Sequence, residues 1–213
     1  MDAAALAALN EGSGRLGIEL NSVQLERLDR YVSLLLRWNA RIKLTSVTRP
    51  LEIVDKHLLD SLAVVTVLGG ARDVVDIGSG AGLPGLVLAA VVPGLAVTVV
   101  ESIHKKAAFL EAVRRELGLE RVEVVAGRME EVIAAGRRFS AAVSRATFAP
   151  EEWLARGEAL VAPGGRLIAM VVDGAAQTPD ALAPQWPQRF ASARIESGRL
   201  PGRALVVLEG RLG

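Results

Sequence analysis

Val75-Asp76-Ile77-Gly78-Ser79-Gly80-Ala81-Gly82-Leu83-Pro84-Gly85 joins a short β-branched run to an apolar helical stretch. Its four glycines open backbone conformations that side chains forbid, at an entropic cost that is hard to offset unless something uses them. Pro84 is well placed to open the helix. A strand, a glycine turn and a helix in that order begin an open α/β sheet, in which the first turn lies beside the ligand crevice. A tight turn that binds nothing is the plain alternative.

Outward from this turn, β-branched runs recur at Val74 to Asp76, Ala96 to Val100, Val122 to Val125, Ala141 to Ser144 and Leu167 to Val172. Amphipathic stretches near 84–92, 104–117, 129–136, 150–161 and 175–183 alternate with them. Apolar strands separated by helices predict a parallel sheet covered on both faces. Ala193 to Arg199 and Ala204 to Glu209, around Leu200-Pro201-Gly202, read as a closing hairpin. Before residue 71 the pattern is helical. Asn21 and Gln24 form a capping pair ahead of a seam at Leu25, Leu28, Val32, Leu35 and Ile42. A second helix opens at Pro50 and runs to about Leu68, where Gly69-Gly70 stops it. The expected fold is therefore α/β, a doubly wound sheet in residues 71–213 under an N-terminal helical cap in residues 1–70, packed as one structural unit.

At 213 residues the chain can bury a sizeable core without a staple. It has no cysteine, which excludes disulfides, thiolate zinc sites, iron–sulfur clusters and a cysteine nucleophile. Its two histidines argue against a metal centre. Met1-Asp2-Ala3-Ala4-Ala5 lacks the basic start of a signal peptide, and the apolar run Leu86 to Val100, broken at Pro93-Gly94, is too short to span a bilayer. A soluble, cytoplasmic monomer without a membrane partner is expected. The net charge of +1 exerts no global pull on nucleic acid, so any RNA contact must come from local grouping.

Two cofactor classes compete for the glycine turn. Gly80, Gly82 and Gly85 satisfy the dinucleotide spacing, with Glu101 at 21 residues past Gly80. The alternative frame is Gly78, Gly80 and Gly82 behind Asp76. An acid at the loop entrance repels a pyrophosphate but suits the cationic S-adenosylmethionine, so Asp76 favours the methyl donor. Glu101 is placed to accept the ribose hydroxyls of either cofactor, or else to cap the next helix. No Gly-Lys-Ser/Thr follows the glycines, which excludes a P-loop. An NAD-dependent oxidoreductase would also need a substrate-holding segment, and the roughly 40 residues after the fifth strand read mainly as the sheet's own closing hairpin.

The chain resembles the 16S ribosomal RNA guanine-N7 methyltransferase family, also called glucose-inhibited division protein B. The matching stretches are Trp38-Asn39, Leu44-Thr45-Ser46-Val47, His57-Leu58-Leu59-Asp60-Ser61, the turn from Asp76 to Gly85, Glu101-Ser102 with Lys105, Arg128-Met129-Glu130-Glu131, and Ser144-Arg145-Ala146. The first stretches, from Trp38 to Ser61, are specific to this family rather than to methyltransferases at large. The resemblance implies a Rossmann-like class I methyltransferase fold and S-adenosyl-L-methionine as donor. It implies a guanine of 16S ribosomal RNA as acceptor, on the free RNA or on the 30S subunit. It also implies donor contacts at Gly78, Leu83, Met129, Glu130 and Arg145. Three positions depart from the family: Glu101 stands where Asp is frequent, His104 replaces a smaller residue, and Val172-Asp173-Gly174 replaces a Lys-Gly pair.

Guanine N7 carries a lone pair and no proton, so the transfer needs alignment rather than a general base. No catalytic acid or base is therefore required, and Asn39, His57, Lys105 and Arg128 are candidates for positioning the substrate. Lys105 and Lys106 lie in the first turn of a helix, where the macrodipole disfavours cations; a phosphate contact or plain solvation accounts for them. Arg128 and Arg145 end the third and fourth strand units at the ligand edge, Arg128 towards RNA and Arg145 towards the donor carboxylate, with a structural ion pair as the alternative for each. Asn39 on an apolar seam needs a partner, either within the cap or in the acceptor site. His57 and Asp60, three apart on one helix face, are expected to pair or to meet RNA. Arg189, Arg194, Arg199, Arg203 and Arg211 against Glu196 and Glu209 make the tail locally basic. A non-catalytic RNA-binding module on the same fold remains a second alternative.

Overall fold

The computed structural model describes residues 1–172, 190–197, 200 and 203–210. Seven strands form one sheet: β1 (Asp73–Ile77), β2 (Ala96–Val100), β3 (Val122–Val125), β4 (Phe139–Arg145), β5 (Val161–Val172), β6 (Phe190–Ser197) and β7 (Arg203–Gly210), in the order β3-β2-β1-β4-β5-β7-β6. The first five are parallel, and β6 and β7 close the sheet as an antiparallel hairpin, as the tail pattern predicts. β5 starts at Val161, six residues before the expected run, because Val161 already pairs with Phe139 ahead of an irregularity in the register.

Alternation along the strands divides the core in two. Val74, Val97, Val99, Val143 and Ile168 face one side; Val75, Val100, Ala142, Leu167 and Ala169 face the other. The first face is covered by α5 (Gly85–Val91) and α6 (His104–Glu116), and also by the N-terminal helices α1 (Ala3–Arg15) and α2 (Ser22–Asn39). The second is covered by α7 (Met129–Ala134) and α8 (Pro150–Gly157). Pro84 serves as the cap of α5 instead of its first residue. The stretch expected at 175–183 lies outside the described residues.

Asn21 and Gln24 form the reciprocal capping box anticipated for α2, and Leu28, Val32 and Leu35 are buried along its seam. Ile42 lies beyond the helix end and packs against the core from the following loop. The second cap helix is not continuous. It consists of α3 (Pro50–Ile53), a π-helical turn at Val54–Leu59, α4 (Asp60–Ala63) and a 3-10 turn at Val64–Val67. Single π turns widen a helix locally and are frequent at functional sites; this one carries His57.

Tyr31 fastens the cap to the glycine turn. Its buried hydroxyl donates to the carbonyl of Ala81 at 2.8 Å, and burial pushes its pKa well above the usual phenol range. Tyr31→Phe leaves that carbonyl without its partner, so a loss of about 1–3 kcal/mol is expected. Urea denaturation measures it; an unchanged midpoint would show that the bond contributes nothing.

Candidate active site at the carboxyl edge of the sheet

β1 is flanked by β2 and β4, so successive connections leave it in opposite directions and open a crevice at its carboxyl end. Ile77 is in register with Val100 and Ser144, and Arg145 with Met170. The residues just past these positions therefore meet. They line a cleft of about 690 Å³ that includes Gly78, Gly80, Leu83, Glu101, Lys106 and Arg145.

Gly78 has φ +72°, and a Cβ there would lie 2.3 Å from Oγ1 of Thr147. Only glycine keeps both the turn and the Thr147 wall. The wall follows Ala146, whose φ of +54° is unusual for a residue with a side chain and of the kind that collects at binding sites. Glu101 is buried against this turn. One carboxylate oxygen accepts from the Gly80 N–H at 2.9 Å, the other from the Ile103 N–H at 2.8 Å. The expected helix-capping contact and the expected cleft-facing acid are thus the same residue.

Asp76 does not line the cleft. Its carboxylate is fully buried behind the turn, where Oδ2 accepts from the Gly85 N–H at 2.9 Å and Oδ1 has no hydrogen-bond partner among the described residues. Burial raises its pKa to about 6, against the lowering influence of the Gly85 amide. A Cβ on Gly85 would lie 2.8 Å from that carboxylate, so the helix can approach the strand this closely only without a side chain. Repulsion of a pyrophosphate was expected from Asp76. Its place corrects that expectation: Asp76 buttresses the turn, and Glu101 presents the negative charge to the cleft.

The cap supplies the opposite wall, with Thr45, His57 and Asp60. Asn39 sets this wall in place without entering it. Its Oδ1 accepts from the N–H groups of Leu44 and Thr45 at 2.8 and 3.0 Å, and its Nδ2 donates to the Thr45 carbonyl at 3.0 Å. Of the two readings of Asn39, the one inside the cap is the observed one. His57 Nδ1 donates to the Lys56 carbonyl at 2.9 Å, which leaves Nε2 to accept from the Thr45 hydroxyl at 2.8 Å. The Thr45 hydroxyl in turn accepts from the Val47 N–H at 3.0 Å. Burial, with help from the Arg145 charge, lowers the His57 pKa to about 4, so the ring is neutral.

No hydrogen bond joins His57 to Asp60 among the described residues. Arg145 lies between them, 3.3 Å from the Asp60 carboxylate and 3.2 Å from the Lys56 carbonyl. It bridges cap and sheet across the cleft, and an ion pair is its observed state. Arg203, the one basic tail residue whose side chain is described, is held by Asp55 at 2.8 Å.

Four predicted donor contacts and one substrate candidate lie in the cleft wall: Gly78, Gly80, Leu83 and Glu101, with His57 opposite. Arg145 lines it as a fifth predicted donor contact, and Gly82 packs underneath against Leu86 and Leu110. Met129 is buried in the core of the second face, and Glu130 is exposed and paired with Arg156, so neither side chain lines the cleft. Lys105 is exposed one residue before Lys106, and Arg128 is exposed as the cap residue of α7. Tyr31 and Thr147 were not anticipated, and Thr45 stood only within a matching stretch, with no role of its own. Tyr31 had a visible signal, a lone tyrosine three residues after Leu28 on the α2 seam.

The family model described as rRNA small subunit methyltransferase G matches residues 24–182. A protein of that name from Anaeromyxobacter dehalogenans is 44% identical over 176 residues, 80% of each chain. Another from Nitrosospira multiformis is 40% identical over 212 residues, 94% of this chain and 95% of its own. The chain belongs to the rRNA small subunit methyltransferase G family. The family resemblance read from the sequence motifs is borne out. The fold also matches the O-methyltransferase TomG from Streptomyces achromogenes, solved in complex with SAM, with a TM-score of 0.56 at 17% identity over 87% of this chain and 91% of that one. Within the G family frame, the stretches Leu44 to Val47 and His57 to Ser61 are the ones that build the cap side of the cleft.

Among the described residues, no group of three or more His, Cys, Asp or Glu side chains could hold a metal, and no helix is long and apolar enough to cross a membrane.

Proposed function

We propose that this chain transfers a methyl group from S-adenosylmethionine to N7 of a guanine in 16S ribosomal RNA, acting in the cytoplasm with cap and core as one unit. The observation that carries the proposal is the two-sided cleft: the glycine turn and Glu101 on the sheet side, and the family-specific Thr45, His57 and Asp60 on the cap side.

The donor fits the residues present. At Gly78 the bare backbone faces the cleft, and each Glu101 oxygen, already accepting one amide, keeps a lone pair for a ribose hydroxyl. S-adenosylmethionine supplies a methyl group made electrophilic by its sulfonium. Arg145, already drawn to Asp60, offers a second donor direction to a carboxylate in the cleft. Met129 and Glu130 would reach the donor only through their backbone.

The acceptor atom needs no deprotonation, so the wall has to hold geometry and exclude water. A neutral His57 locked by Thr45 and the Lys56 carbonyl is rigid and has no free proton to give, which suits positioning and not acid–base work. Asp60 and Glu101 face the cationic product, where acceptors help. Lys106, with Lys105 and Arg128 beyond the cleft rim, is available to phosphates.

A labelled-donor assay on small subunits from a strain lacking this protein tests the proposal. Label should enter 16S RNA, with the modified base located by chain scission at a single guanine. Methyl on another base atom would overturn the N7 assignment while sparing the fold. Tight NAD binding with no response to S-adenosylmethionine would favour the oxidoreductase alternative. RNA binding without methyl incorporation would favour the non-catalytic module.

A further inference from the structure

A second groove, also about 690 Å³, lies between the C-terminal halves of α2 and α6. Its floor is apolar, with Leu34, Trp38 and Ile42. Its rim carries Arg37, Arg41 and Arg115, all exposed. None of these three has an ion pair or side-chain hydrogen bond among the described residues. Their neighbours behave differently: Arg114 is held by Glu111 at 2.8 Å, and Arg30 by Glu26 at 2.7 Å. One acid, Glu116, also lines the groove, so the rim keeps an excess of positive charge in a chain whose net charge is only +1.

The groove and the cleft are both bordered by α6 and by the loop after α2, but they share none of their lining residues. On α6, Lys106 lines the cleft and Arg115 the groove, nine residues or about 14 Å along the helix. Ile42 lines the groove and Leu44 the cleft, on a loop that Asn39 pins by three hydrogen bonds. A polyanion with its reactive base in the cleft and its near phosphates at Lys105 and Lys106 would therefore find further free cations here. Arginines fix the backbone of a nucleic acid through its phosphates.

We infer that this groove is a second docking surface for the ribosomal RNA substrate, in which Arg37, Arg41 and Arg115 hold phosphates of its backbone away from the reacting guanine. The inference rests on the proposed RNA substrate.

The test compares the native chain with Arg37→Gln/Arg41→Gln/Arg115→Gln, and with a control that removes three exposed charges elsewhere, Arg15→Gln/Arg72→Gln/Arg121→Gln. Binding to protein-free 16S RNA is measured against salt, together with KM for unmodified 30S subunits. Affinity for S-adenosylhomocysteine, set by the cleft, reports that the fold is intact and is expected to be unchanged. The groove variant should bind RNA more weakly, with a log–log salt slope shallower by about 2–3, and should raise KM for subunits; the control should do neither. An RNA affinity and slope equal to the native values would overturn the inference. So would equal losses in the control, which would mean general charge. Loss on 30S subunits with none on protein-free RNA would assign the groove to a ribosomal protein and also overturn it. If the native chain itself neither binds nor methylates ribosomal RNA, the functional proposal fails, not the groove alone.

Discussion

Gly78→Asp is expected to abolish binding of S-adenosylmethionine and of its demethylated product, while the sheet stays folded. Two effects act together. The residue has φ +72°, which a side chain adopts only under strain, and any Cβ meets the Thr147 side chain at 2.3 Å. Moving Thr147 aside is costly, because its one hydroxyl proton is held among the carbonyls of Arg145, Gly78 and Ile77, at 3.2, 3.3 and 3.4 Å. An added carboxylate would also stand beside Glu101 on the cleft wall, raising the cost of a second negative charge there. Gly78→Ala separates the two contributions: it keeps the steric clash without the charge, and should weaken binding by less. Calorimetry with the demethylated product reads both variants, and circular dichroism reports the fold. Native affinity in a folded Gly78→Asp chain would place the donor somewhere other than this turn.

The glycine turn was legible because everything that defines it is local. A buried strand, four glycines and a proline within eleven residues leave few structures open, and alternation of strand and helix fixes the sheet class. What stayed hidden was the direction in which particular side chains point, and register explains why. Asp76 pairs with Val99 and Val143, so it is still inside the sheet and points with Val74 towards α5. Glu101 comes one residue after the paired end of β2 and is free to turn into the cleft. Both read simply as an acid at a strand end. A two-residue difference in where pairing stops decides which one a ligand meets.

The cap side was less legible still, because its geometry is built by contacts distant in sequence. Tyr31 reaches Ala81 across 50 residues, and Arg145 reaches Asp60 across 85. The pattern at Pro50 gave a continuous helix, and no periodicity marks the π turn that carries His57. Asn39 was singled out correctly as a polar group needing partners, but only the fold shows that they are the Leu44 and Thr45 backbone.

Two buried groups should give the protein opposing pH dependences that only variants can separate. Asp76 is pushed up to about 6 by burial, from 3.8 when unfolded. The native state therefore holds this proton more tightly than the unfolded chain. Its stabilising contribution is complete below pH 3.8 and is lost as pH rises through 6, a total of about 3 kcal/mol at about 1.4 kcal/mol per tenfold change in proton affinity. His57 is pushed down from 6.5 to about 4, so its contribution runs the other way: present above pH 6.5, and lost as pH falls through 4. Over pH 4 to 6.5 the two largely cancel, and the native profile alone looks flat. Asp76→Asn keeps an oxygen to accept the Gly85 N–H and cannot ionise. It leaves an amide N–H₂ where Oδ1 already lacks a partner, a constant cost of about 1–3 kcal/mol. That cost shifts the variant at every pH and does not change the slope. Measured by urea denaturation, native stability relative to Asp76→Asn should rise by roughly 1–2 kcal/mol on going from pH 8 to pH 5. The variant, relieved of Asp76, should show the His57 loss openly as pH falls. A native-to-variant difference that is constant from pH 8 to pH 5 would mean that Asp76 ionises as an ordinary carboxylate, and that the turn above it is wetter than its burial indicates.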